Sequence, residues 1–161
     1  VPADYPIKAS GWRIDEETGR KYIRVKGVRW FTNIDHGRRH EPLPLMSMSD
    51  NLRYSRHKEL KGKAEYDRYD NYDAIEVPYT DAIPCDYEGV MGVPISFLDK
   101  YCPEQFEILG ITDRGNEWGL KVKEYTSFDT PKFADLNRRG AIWNNGSLFS
   151  TYARILIRKK K

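Results

Sequence analysis

Cysteine is scarce in this chain. Cys85 and Cys102 are the only two, with no Cys-x-x-Cys and no histidine at ligand spacing. Two free thiols in a reducing compartment are therefore expected in place of a disulfide framework. Long hydrophobic runs are missing too. No segment is apolar for long enough to span a bilayer and none reads as a signal peptide, so no membrane role is expected and the cytoplasm is the expected location. The twelve glycines never form Gly-x-Gly, which excludes dinucleotide cradles and phosphate-binding loops. There is no Gly-x-Ser-x-Gly elbow. None of the nine prolines is next to another, which excludes a catalytic loop built on Pro-Pro-aromatic. By these absences the chain alone is not expected to be a complete enzyme.

What is present fits an interaction surface. The chain has 161 residues, enough for one domain with a core that needs no staples. Only 39% is hydrophobic while 32% is charged, so the core is expected to be modest. Aromatics make up 13%, and about half of them are the eleven tyrosines. Rings that carry a hydroxyl suit contact surfaces, although tyrosine also fills half-buried strand positions. The chain opens on Val1 instead of Met, which suggests processing or a piece cut from something longer; the linker-like first residues favour the second. Residues 1–19, with Pro2, Pro6, Gly11 and Gly19, read as an introductory linker, and 20–161 as one domain.

Net charge is +3, but it is unevenly spread. Arg20 to Lys63 holds 12 basic and 4 acidic residues, Ala64 to Glu117 holds 3 and 13, and Trp118 to Lys161 holds 10 and 3. If the two basic blocks meet in space they form a positive face that steers phosphates. If they do not, the charges average out over the surface.

The fold class expected is α+β, dominated by antiparallel β-hairpins with a few short helices. Strands are read at 21–31, 72–77, 106–112, 118–125 and 152–158. Residues 49–63 read as a short helix capped by Ser49 or Asp50, or as a basic loop. Ser96 to Tyr101 reads as one helical turn. Residues 131–139 read as a short helix with Pro131 near its first position and Gly140 past its end. Asn145-Gly146 is a hairpin signal, and the last strand is largely apolar and therefore expected to be central.

The stretch Val28 to Leu45 concentrates rings, amides, imidazoles and guanidinium groups. An aromatic strand end carrying Trp30 and Phe31 runs into a turn holding His36, Gly37, Arg38, Arg39 and His40, and a Pro-Leu-Pro segment stiffens its exit. We read this loop as touching a polyanion, DNA above others. Arg38 and Arg39 suit phosphates or guanine edges, and Asn33 suits adenine. Trp30 and Phe31 are base-stacking candidates, although on a strand at least one is expected in the core. His36 and His40 complete the turn. Arg56, Lys61 and Lys63 in the following basic segment, and Arg138 and Arg139 near the second helix, extend the DNA-binding set. A zinc site from His36 and His40 is disfavoured because Gly37 argues against a helix there. Asp67, Asp70 and Asp73 fit a carboxylate group that holds Mg²⁺ in a nuclease or a solvated turn. No catalytic residue and no metal ligand is assigned.

Several strings together resemble one family. R-W-F-T-N-I-D-H-G-R-R-H, Y-D-N-Y-D-A-I-E-V, M-G-V-P-I-S-F-L-D-K-Y, P-E-Q-F-E-I-L-G and the terminal Y-A-R-I-L-I-R-K look like the EcoRI-type adenine-specific DNA methyltransferases, in matching order from about Val28 to Lys159. The resemblance implies methyl transfer from S-adenosylmethionine to the exocyclic amine of adenine in double-stranded DNA, with the target base flipped out. It also implies that this chain corresponds to the carboxy-terminal, target-recognition part. The cofactor segment and Pro-Pro-aromatic loop would then lie in an amino-terminal catalytic domain, the second expected partner beside DNA. Trp30, Phe31, Thr32 and Asn33 would lie near the flipped base. Two other readings stay open: a region that completes the catalytic domain without reading bases, and the Mg²⁺-dependent nuclease.

Overall fold

The computed structural model describes residues 12–23, 34–115 and 119–161. The chain divides into two compact units, 1–35 and 36–161. In the first, β1 (Trp12–Ile14) pairs antiparallel with β2 (Lys21–Ile23). Asp15 organises the turn between them: its carboxylate accepts from the Thr18 amide at 2.9 Å and its backbone carbonyl from the Gly19 amide at 2.9 Å. Gly19, at φ +65°, supplies the left-handed residue that the turn requires. The rest of the strand read at 21–31, with Trp30, Phe31 and Asn33, lies outside the described residues.

In the second unit the Gly37–His40 turn is a single 3₁₀ segment, followed by α1 (Met48–Tyr54). The cap of α1 is Ser47, not Ser49 or Asp50. The Ser47 hydroxyl accepts from the Asp50 amide at 3.1 Å and donates to the Asp50 carboxylate at 2.8 Å, which satisfies an orphan amide and sets an anion at the helix N-terminus. Met48 and Leu52, one turn apart, pack on the core while Asn51 is fully buried. The expected strand at 72–77 shortens to β3 (Ile75–Glu76), because a tight turn with the Tyr69 amide on the Ala74 carbonyl takes up the residues before it.

β3 runs parallel to β4 (Met91–Pro94). The 3₁₀ segment Ile95–Lys100 and β5 (Phe106–Ile111) follow. After β5, α2 (Phe133–Leu136) leads into β6 (Ala141–Asn144) and β7 (Ser147–Ser150), which pair antiparallel. The chain closes on β8 (Arg154–Lys159). The main sheet has the order β3-β4-β8-β5, with β8 antiparallel to both neighbours. The α+β architecture with short helices and antiparallel pairs is the one read from the sequence, and β8 is central as its apolar run requires. Ile155 and Ile157 face the larger core with Met91, Val93, Phe97 and Phe106, while Leu156 faces a second core with Tyr69, Tyr72 and Ala74. A strand buried on both faces reads as continuous hydrophobicity. The expected strand at 118–125 does not form in its described part; Lys121 makes only an isolated bridge to Tyr72. Its two lysines turn aside to fixed acceptors, Lys121 to the Asn137 carbonyl and Lys123 to Asp70.

Candidate nucleic-acid interface

The basic turn is held from below. Gln105, just before β5, donates from its side-chain amide to the Leu43 carbonyl at 3.0 Å and accepts from the Leu43 amide at 2.8 Å. His40 Nδ1 lies 2.5 Å from the Glu104 carboxylate, and the Cys102 thiol donates to the other oxygen of Glu104 at 3.2 Å. The His40 hydrogen bond, then that of Cys102, holds the Glu104 carboxyl below its ordinary value. With its exit clamped, the turn presents Arg38 to solvent, while Arg39 is half-buried and His40 is engaged. The free cysteines are Cys85 and Cys102, the latter fully buried.

Arg56, just beyond α1, pairs with Asp81 at 2.7 Å; beside it the His57 ring stacks on Tyr79 at 3.6 Å and reaches Asp81 at 2.9 Å. A cavity of about 270 Å³ joins this group to Pro44 and Met46 on the exit of the basic turn. Lys61 is exposed, and Lys63 pairs with Asp67 at 2.5 Å. Arg138 is exposed beyond α2, and the half-buried Arg139 pairs with Asp113.

The charge blocks therefore interleave. Cations of the two outer blocks, among them Arg56, Lys63, Lys123, Arg139, Arg154 and Arg158, each meet a carboxylate of the middle block, as does the His40 ring. Arg38, Lys61 and Arg138 are exposed. The three aspartates of the nuclease reading diverge in the same way. Asp67 takes Lys63, Asp70 takes Lys123, and Asp73 takes Arg68. Among the described residues no three acidic, histidine or cysteine side chains could hold a metal ion.

A second group was not legible in the sequence. Asp70 sits in the turn between the Tyr69 ring and β3, its amide bonded to the Ala141 carbonyl of β6 at 2.8 Å. Its carboxylate accepts from Lys123 Nζ at 2.7 Å and the Tyr125 hydroxyl at 2.6 Å on one oxygen, and from the Trp143 indole N–H at 3.2 Å on the other. Burial alone raises this carboxyl, but the Lys123, Tyr125 and Trp143 donors outweigh it and hold it below its ordinary value. Burial, then the Asp70 hydrogen bond, pushes the Tyr125 phenol up. The Trp143 ring is half exposed. The only sequence signal for it was its place on the strand before the Asn145-Gly146 turn.

Gly92 and Gly140 face the Tyr69 ring and Gly89 faces the Tyr87 ring, so the chain's own side chains occupy the space above them. Gly115, Gly119 and Gly146 serve left-handed turn positions. These six glycines are thus taken up by the chain's own rings and turns.

Sequence comparison places the chain in a class. It matches, over residues 1–160, the family described as adenine-specific methyltransferase EcoRI, and it belongs to that family. It is similar to the type II methyltransferase M.EcoRI of Escherichia coli, at 43% identity over 122 residues covering 76% of this chain and 34% of that protein. It is also similar to the type II methyltransferase M.MgeORF184P of Mycoplasma genitalium, at 31% identity covering 90% of this chain and 40% of the relative. M.MpnI of Mycoplasma pneumoniae is 35% identical over 58% of this chain and 26% of its own length. The chain thus spans roughly a third of the curated relatives it matches. No solved structure matches it. No helix among the described residues is long and apolar enough to cross a membrane.

Proposed function

We propose that this chain is the carboxy-terminal, target-recognition part of an adenine-specific DNA methyltransferase that acts in the cytoplasm, with residues 20–161 as the recognition domain. One observation carries the reading. A chain that matches the family over 1–160 has no Gly-x-Gly and no Pro-Pro pair anywhere in it. S-adenosylmethionine and the groups that act on the adenine amine are supplied, in this reading, by an amino-terminal catalytic domain, and this chain holds double-stranded DNA against it. The exposed Arg38 in a turn clamped by Gln105 and Glu104 supports it, since a phosphate contact gains most from a cation whose backbone is already ordered.

The test is charge reversal. Arg38→Glu with Arg39→Glu is expected to abolish binding of the full chain to a labelled duplex, read by fluorescence anisotropy at low salt, and Arg38→Glu alone, at the exposed position, to weaken it with an unchanged thermal melt. Wild-type affinity is expected to fall steeply with salt, since each neutralised phosphate releases counterions. A lowered melt with undiminished DNA binding would favour instead a region that completes the catalytic domain without reading bases. Methylation of DNA by the purified chain would overturn the proposal.

A further inference from the structure

We propose that Trp143 is a stacking platform for an unpaired DNA base, oriented by Asp70, with Lys123 placed to take the adjoining phosphate. This rests on the DNA-binding reading above but uses none of the residues that carry it.

The indole is large, apolar and 55% exposed. A ring on a hairpin surface normally swings between rotamers. Here its N–H is tied to Asp70 Oδ1 at 3.2 Å, and Asp70 is itself anchored through its backbone amide to β6, the strand that carries Trp143. The ring is therefore presented in one orientation, which lowers the entropy lost when something stacks on it. Lys123 is bonded to the other oxygen of the same carboxylate, so one side chain fixes both the indole and the ammonium. That ammonium lies 5.1 Å from the centroid of the Tyr125 ring, which gives the cation a second restraint. It uses one N–H on Asp70 and keeps two for another acceptor.

Asp70 does not spoil the surface for a polyanion. Its side chain is only 20% exposed, and three donors cover its oxygens. Lys123, by contrast, is 46% exposed. An ordered aromatic face beside an ordered cation is the arrangement that binds unstacked nucleic acid, where bases stack on rings and phosphates meet lysines. A paired duplex covers its base faces, so the occupant is a base that has left the stack.

The experiment uses the full chain and a single-stranded oligonucleotide. The chain has four tryptophans, so the Trp143 emission is taken as the difference between wild type and Trp143→Phe. That component is expected to be quenched on binding. Trp143→Ala is expected to weaken binding about tenfold, Trp143→Phe much less. Lys123→Gln is expected to lower the salt slope by about one contact. Binding with unchanged Trp143 emission, or wild-type affinity in a folded Trp143→Ala, overturns this inference and leaves the DNA-recognition proposal standing. Failure of wild type to bind any DNA at low salt overturns both.

Discussion

The Arg154 guanidinium on β8 grips the Glu76 carboxylate on β3 across the intervening strand β4. Nε and Nη2 meet the same oxygen at 2.8 and 2.5 Å, and both side chains are nearly out of solvent. The Tyr69 hydroxyl donates to the other oxygen. Burial, then the Glu76 charge, raises the Tyr69 phenol well above its ordinary value. Glu76→Ala leaves a buried guanidinium without its anion and is expected to cost about 3–5 kcal/mol. Glu76→Leu with Arg154→Met is expected to recover most of that loss. Urea midpoints of the three proteins check both statements.

Asn71 holds the end of α2 to the main body. Its amide donates to the Arg139 carbonyl at 2.8 Å and the Leu136 carbonyl at 3.3 Å, and its oxygen accepts from the Ala141 amide at 2.8 Å. The residue is fully buried. Asn71→Ala strands these groups without water and is expected to cost at least about 2 kcal/mol. Asn71→Asp is expected to be worse, because it sets a carboxylate against two carbonyls. Thermal melts decide the order.

The Asp70 carboxyl titrates lower in the folded chain than in the unfolded one, where its value is about 3.9. Its stabilising contribution is therefore complete above that value and is lost as the pH falls through the lower, folded value. Asp70→Asn is expected to melt below wild type at neutral pH, with the gap closing as the pH drops below about 4. A gap that stays constant across that window would show that the carboxylate charge is not what Asp70 contributes.

The Asn145-Gly146 turn takes left-handed backbone at both residues, with φ of +49° and +77°. A side chain on Gly146 meets nothing within 4 Å, so the cost of Gly146→Ala is conformational alone, about 1 kcal/mol. Asn145→Gly is expected to be close to neutral. Chemical denaturation separates the two.

What the sequence determined by itself is local. The Asn145-Gly146 hairpin, the central apolar β8 and the helical turn after Ile95 were all legible, because turn chemistry and hydrophobic period act between near neighbours. The strings spread from Val28 to Lys159 were enough to indicate the family. The tertiary structure decided the pairings. Ser47 took the cap from Ser49 and Asp50, the 118–125 strand gave way in its described part to lysines with fixed acceptors, and cations such as Arg56, Lys63 and Arg139 found carboxylates of the middle block. Asp70 and Trp143 stand 73 residues apart, and no local pattern links a turn aspartate to an indole at that distance. Only the packing of β6 against the Asp70 turn brings them together. Separately, the Gly37–His40 turn, held at His40 and Leu43 by Glu104 and Gln105, leaves Arg38 exposed.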